Sequence, residues 1–358
     1  VSAPIDWVVL GAGLMGRLVA CALAERGLRV AVHEAGSADA RDSAARIAAA
    51  MLAPLAESAI TEDSVVQMGR HALQRWPQLI AALDEPVYFQ QQGTVVLWHR
   101  QDAPEAERLG RVFAATAARI EGLAAPVACD GDALRELEPA LGRRFTQGLY
   151  LPQEGQLDNR GLLDALGRRM TTLGVALHTH DAKAPQDFDA ATALVDCRGL
   201  GARAEWPGLR GVRGEVVRLH APGIGLARPT RLVHPRYPIY IAPKPGDVYV
   251  IGATEIESDD RSPPSARSIL ELLSAAYSVH PGFGEARVLE LGAQCRPTLG
   301  DNLPALRRLG SRRWQVNGLY RHGFLIAPAV LDALLECLAD GHSPLAARLG
   351  LRIEEATP

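Results

Sequence analysis

Three glycines near the start of the chain limit its fold more than any other feature. Gly11, Gly13 and Gly16 follow the short apolar run Ile5-Asp6-Trp7-Val8-Val9-Leu10 and precede Arg17 to Arg26, where apolar residues recur at helical spacing. Gly27 stops that helix, Leu28 to His33 reads as a second strand, and Glu34 closes it. Strand, glycine turn, helix, strand and acid make a βαβ unit with a dinucleotide fingerprint. Gly11 permits the tight turn and Gly13 lets backbone approach a pyrophosphate. Gly16, with Ala20 one helical turn on, lets the helix lie close to the strand. The first helical turn, at Leu14 and Met15, offers free N–H groups to phosphate. The Glu34 carboxylate, followed by Ala35, can accept from ribose hydroxyls and would repel a 2′-phosphate, which disfavours NADP. These features fit FAD and NAD alike.

The 358 residues suit about two domains, with 47% hydrophobic and 22% charged residues, as in ordinary folded proteins. The formal net charge of −3 comes without a basic stripe, so no nucleic-acid partner is expected. No run reaches 18 consecutive apolar residues, and Val1 to Leu10 lack the basic start of a secretory leader. No membrane partner is expected. The five dispersed cysteines read as reduced thiols of a cytoplasmic protein.

Further along, a helix is expected from about Asp63 to Leu83, kinked or interrupted at Pro77. Ala44 to Pro54 reads either as a plain helix or as a stretch where backbone passes close to a flat ligand. Tyr88 to Trp98 looks like a hairpin. Asp158-Asn159-Arg160 should cap a helix over 161–173. Ala193 to Cys197 is a strand whose C-terminal edge carries Gly199, the place where open α/β sheets bind ligands. From Arg210 to Leu291, short alternating strands suggest an antiparallel sheet. The last part returns to α/β character, with a helix from about Ala327 to Asp340 that has Pro328 in its first turn and Gly341 as its stop. The expected fold is therefore α/β plus antiparallel β. A Rossmann-type nucleotide-binding domain (1–83, 148–211, 292–358) is interleaved with a second, discontinuous antiparallel-sheet domain (84–147, 212–291) that binds substrate. His178 and His180 alternate on one strand, but with no third ligand in view no metal is expected.

The motifs together resemble the D-amino-acid-oxidase-like FAD-dependent oxidoreductases, and among them the bacterial glycine oxidases of thiamine biosynthesis. The resemblance rests on VVLGAGLMG with Glu34, AAAMLAP at 48–54, LEPAL at 137–141 and GLYLPQEGQLDNRGLLDAL at 148–166. It continues through VRGEVVRL at 212–219, YIAPKPGDVYVIGATE at 240–255, CRPTLGDNLP at 295–304 and GLYRHGFLIAPA at 318–329. It implies FAD as cofactor. It also implies that Arg296 binds the substrate carboxylate, that Tyr240 donates to the same carboxylate, and that Arg321 lies near the substrate. Ala49, Ala50 and Met51 are implied to lie against the flavin ring, and His322, Gly323, Phe324, Leu325 and Ile326 to face its pyrimidine edge. Two departures are Ala50, where the family often has glycine, and Glu255, an acid in the substrate pocket that could engage an amine or change the substrate.

The implied reaction is oxidative deamination of a small amino acid or secondary amine by hydride transfer to flavin N5. Reoxidation by O2 then gives H2O2. The alternative is a dehydrogenase that passes electrons to a quinone or carrier protein. A homo-oligomer is compatible with either.

Overall fold

The structure, a computed structural model, describes residues 4–234 and 238–356. Among these, a seven-stranded sheet runs in the order Arg352–Glu355, Ala305–Gly310, Arg313–Asn317, Leu194–Asp196, Trp7–Leu10, Val30–His33, Ala176–His178. The five strands from Arg313–Asn317 to Ala176–His178 are parallel, and Ala305–Gly310 is antiparallel to its neighbour. Trp7–Leu10 is buried along its whole length, as a central parallel strand covered on both faces must be. The helix Leu14–Ala24 leaves the end of that strand and the helix Gly323–Asp340 follows Arg313–Asn317, so both begin at the C-terminal edge of the sheet.

A nine-stranded sheet forms the second body. Its spine is the pair Arg210–His220 and Arg287–Thr298, antiparallel along their full lengths. One pair in this sheet, Thr94–Trp98 with Thr230–Val233, is parallel, so the expected antiparallel sheet is mixed. Strands Gln147–Leu151 and Arg287–Thr298 belong to it, which moves two expected boundaries: residues 148–151 and 292–298 run in this second sheet. A three-stranded sheet of Met51–Leu52, Gly155–Leu157 and Phe89–Gln90 lies between the two.

Three local expectations change. The 88–98 stretch is no hairpin, because Phe89–Gln90 pairs with Gly155–Leu157 while Thr94–Trp98 pairs with Gln147–Leu151. The helix Asp63–Ala81 runs unbroken through Pro77. The last long helix starts at Gly323 rather than Ala327 and holds Pro328 in its interior. Proline cannot donate to the carbonyl four residues back, and that carbonyl, Phe324 O, instead accepts from Trp76 Nε1 at 2.9 Å. The helix has the length and apolar composition to cross a bilayer, but 67% of its apolar window is buried in the fold. It packs on Asp63–Ala81 as a core helix.

Candidate active site

A cavity of about 550 Å³ opens between the two large sheets, a size typical of small-molecule sites. One end is built by the glycine turn. Gly11 has φ +87°, and a Cβ there would meet Cys197 O at 2.9 Å. A Cβ on Gly16 would overlap Gly11 O, so Gly16 shapes the turn from behind and does not line the cavity. No side chain caps the helix Leu14–Ala24, so its first N–H groups are unclaimed by any side chain. Glu34 accepts from Ala12 N at 2.5 Å and Gly36 N at 2.8 Å, which fixes its carboxylate at the strand end beside Ala35. Gly199, at φ +57°, closes this end opposite the turn.

The middle of the cavity is floored by 48–51. Only Ala44–Ile47 is helical, and the chain then extends, with Ala50 at φ +52°. An alanine pays a penalty in this left-handed region that glycine escapes. The conformation is held from below by Lys244, whose Nζ donates to Ala49 O and Leu157 O at 2.7 Å each and to Gln156 Oε1 at 3.3 Å. Burial pushes the Lys244 ammonium down to about 7. The opposite wall is the start of Gly323–Asp340. Its Gly323, Phe324 and Leu325 line the cavity, and no side chain caps its N-terminus. Ile326 is fully buried behind them and does not reach the cavity.

The second sheet closes the remaining side. Arg296 projects from Arg287–Thr298 over Gly214, where a Cβ would fall 2.1 Å from its Nη2. Its donors reach only backbone carbonyls, Thr254 O at 3.2–3.3 Å and Arg213 O at 3.4 Å. No carboxylate lies within ion-pair distance of it among the described residues. Burial lowers its pKa, a shift that the nearby Tyr240 phenol opposes. Tyr240 packs against Gly252, and burial raises its phenol despite the pull of Arg296, Arg321 and Arg231. Both side chains line the cavity.

Arg321 differs from Arg296 in being fully paired. Its Nε lies 3.1 Å from Glu57 Oε2 and its Nη1 donates to Glu255 Oε2 at 2.6 Å. The other Glu255 oxygen accepts from the Tyr320 hydroxyl. Glu57 also accepts from Arg231 Nη2 at 2.6 Å. Burial alone would raise the Glu57 carboxyl, but Arg321 and Arg231 outweigh it and hold it well below the usual range. Burial pushes His322 down to about 4, so it is neutral at pH 7. Behind Glu57, buried Glu154 accepts from Ala56 N at 2.7 Å, and burial raises its carboxyl to about 7.

The structure thus gathers around one cavity Gly11, Gly13, Leu14, Met15, Glu34, Ala35, Ala49, Ala50, Met51, Gly199, Tyr240, Glu255, Arg296, Arg321, His322, Gly323, Phe324 and Leu325. It adds Glu57 and Arg231, which no sequence motif marked, and Tyr320, which lies within the 318–329 motif but is given no role by it. Cys295 is a packed thiol, its Sγ 3.4 Å from Ser258 O and Asp260 O. The donor set fits a flavin dinucleotide. Two helix starts present uncapped N–H groups, a Cβ-free turn leaves room for a pyrophosphate, and small residues floor the space between.

The family model described as DAO, FAD dependent oxidoreductase, matches residues 6–334. A Rhizobium etli protein named for thiamine biosynthesis as the oxidoreductase ThiO is 43% identical over 330 residues, covering 90% of this chain and 93% of its own. A glycine oxidase of Geobacillus kaustophilus is 28% identical over 351 residues, covering 90% of each. The crystal structure of a glycine oxidase from Bacillus cereus superposes with TM-score 0.78 at 22% identity over 95% of this chain and 96% of that one.

Proposed function

Because the chain belongs to the DAO family of FAD dependent oxidoreductases, we propose that it oxidises the carbon–nitrogen bond of a small amino acid or secondary amine, in the manner of a glycine oxidase. The observation that carries this reading is Arg296, a half-buried guanidinium that faces the cavity with no carboxylate partner among the described residues. A carboxylate-bearing substrate supplies that partner through two parallel charge-assisted hydrogen bonds. The name of the Geobacillus kaustophilus relative, a glycine oxidase, supports the same substrate class.

Bound between the glycine turn, the 49–51 floor and the start of Gly323–Asp340, FAD would supply a two-electron acceptor for the hydride of the substrate carbon, with O2 as the final oxidant and H2O2 as its product. The protein's part is to position and tune. Arg296 and the Tyr240 hydroxyl hold the carboxylate, which fixes the adjacent carbon relative to the 49–51 floor. The carbon-bound hydrogen leaves as hydride while the lone pair of the neutral amine forms the C=N bond, so no side chain has to take a proton from carbon. The N-terminus of Gly323–Asp340 turns its positive pole to the cavity, where it stabilises negative charge. Neutral His322 adds no competing charge there. The imine product hydrolyses in water. Five free cysteines are consistent with work in the reducing cytoplasm.

The test is a visible spectrum of the purified protein, followed by anaerobic titration with glycine, sarcosine, proline and D-amino acids. Bleaching of the flavin by at least one of them is expected. A flavin that stays yellow with all of them overturns the reading. Fast reoxidation by quinone with slow reoxidation in air would replace O2 as the acceptor.

A further inference from the structure

We propose that Glu255 occupies a second carboxylate subsite of the cavity, formed by Arg321 and the Tyr320 hydroxyl, and thereby turns away dicarboxylic amines. This specificity role rests on the proposed oxidation of carboxylate-bearing amines.

Arg321 and Tyr320 present their donors to a single carboxylate. Nη1 reaches one oxygen of Glu255 at 2.6 Å and the phenol reaches the other. This is how a protein binds a carboxylate ligand, with a guanidinium on one oxygen and a hydroxyl on its neighbour. Here the chain fills the receptor with a side chain of its own. The two acids on Arg321 are not equivalent. Both line the cavity, but Glu57 is buried at 8% side-chain exposure and is also tied to Arg231, whereas Glu255 is 49% exposed. Glu57 is a fixed counter-ion, and Glu255 sits where a ligand would.

Charge decides which ligands enter. At this end of the cavity Arg231 and Arg321 are paired with Glu57 and Glu255, whereas Arg296 has no carboxylate partner among the described residues. Arg296 is thus the open anchor for one incoming carboxylate. A second carboxylate on the same ligand meets the like charge of Glu255 and finds Arg321 and Tyr320 already taken. Discrimination by a repulsive group costs nothing in the binding of the preferred ligand. Removing the charge at 255 frees Arg321 and the Tyr320 hydroxyl to take a second carboxylate.

The experiment titrates the FAD-loaded protein with inert acids and follows the flavin spectrum as they bind. The dicarboxylates are succinate and glutarate, and the monocarboxylates of matching length are butyrate and pentanoate. Wild type is compared with Glu255→Gln, which keeps the volume, and Glu255→Ala, which removes it. Both variants should bind the dicarboxylates about tenfold tighter than wild type, as expected for a freed charge-assisted receptor. The monocarboxylates should shift by less than about threefold, since their single anchor is unchanged. Equal tightening of both acid classes would mean that space, and not charge, had been opened. No tightening of either would mean that Glu255 covers no receptor. Either result overturns the proposal. Because these acids are not oxidised, the outcome is independent of whether amino acids bleach the flavin, which tests the proposed function itself.

Discussion

Arg296 rests on Gly214 with no side-chain partner among the described residues, and its donors go to two backbone carbonyls at 3.2–3.4 Å. Its side chain is thus held in place while its charge stays available. Arg296→Ala should cost on the order of 3–5 kcal/mol in transition-state stabilisation, because a buried substrate carboxylate loses its counter-ion. Anaerobic flavin reduction at varied substrate measures this, and a variant within about tenfold of wild type would remove Arg296 from the site. Glu154 makes a prediction about pH. Burial raises its folded value from 4.5 to about 7, so between those values the folded state holds the proton more tightly than the unfolded state. The stability linked to that proton is present below pH 4.5 and is lost as pH rises through 7. Glu154→Gln, which cannot ionise, should therefore gain on wild type as pH rises over that window. Urea midpoints from pH 4.5 to 8 would show it, and a difference that stays flat with pH would contradict it.

At the scale of elements, the helices Asp63–Ala81 and Gly323–Asp340 are joined by the Trp76 hydrogen bond to the carbonyl that Pro328 leaves without a donor. Trp76→Phe should destabilise the protein by about 1–3 kcal/mol, the cost of a buried acceptor left unpaired. Denaturant midpoints of the FAD-loaded protein would measure it. The same bond explains why the start of that helix was misplaced in the sequence. Pro328 reads as a first-turn proline, and nothing local says that a tryptophan 252 residues earlier will satisfy Phe324 O. The apparent hairpin at 88–98 failed for a similar reason. Gln91-Gln92-Gly93 has the composition of a turn, but partners more than 50 residues away decide the pairing of each strand. The opening βαβ unit was legible because its whole logic is local: a Cβ-free turn, one amphipathic helix and an acid within 34 residues. Arg296, Tyr240 and Glu255 could be marked from motifs, whereas Glu57 and Arg231 meet across 174 residues and leave no periodic trace.

For the molecule as a whole, the cavity is the seam between the two large sheets, lined by Gly11 and Glu34 from one and Tyr240 and Arg296 from the other. A ligand that fills it ties the two bodies together. Removing FAD should lower the melting temperature, and adding it back at 100-fold over its Kd should restore about 2.7 kcal/mol by mass action. Calorimetry of apoprotein with increasing FAD would test this, and a melting temperature indifferent to FAD would place the dinucleotide elsewhere. The floor of that seam has one more consequence. Ala49 O is taken by Lys244 and Ala50 O by Leu157 N at 3.1 Å, both on the far side from the cavity. Two successive carbonyl oxygens are thus turned away from an aromatic guest lying on the floor. As such a guest gains electron density, neither of these two oxygens presses a lone pair back at it from below.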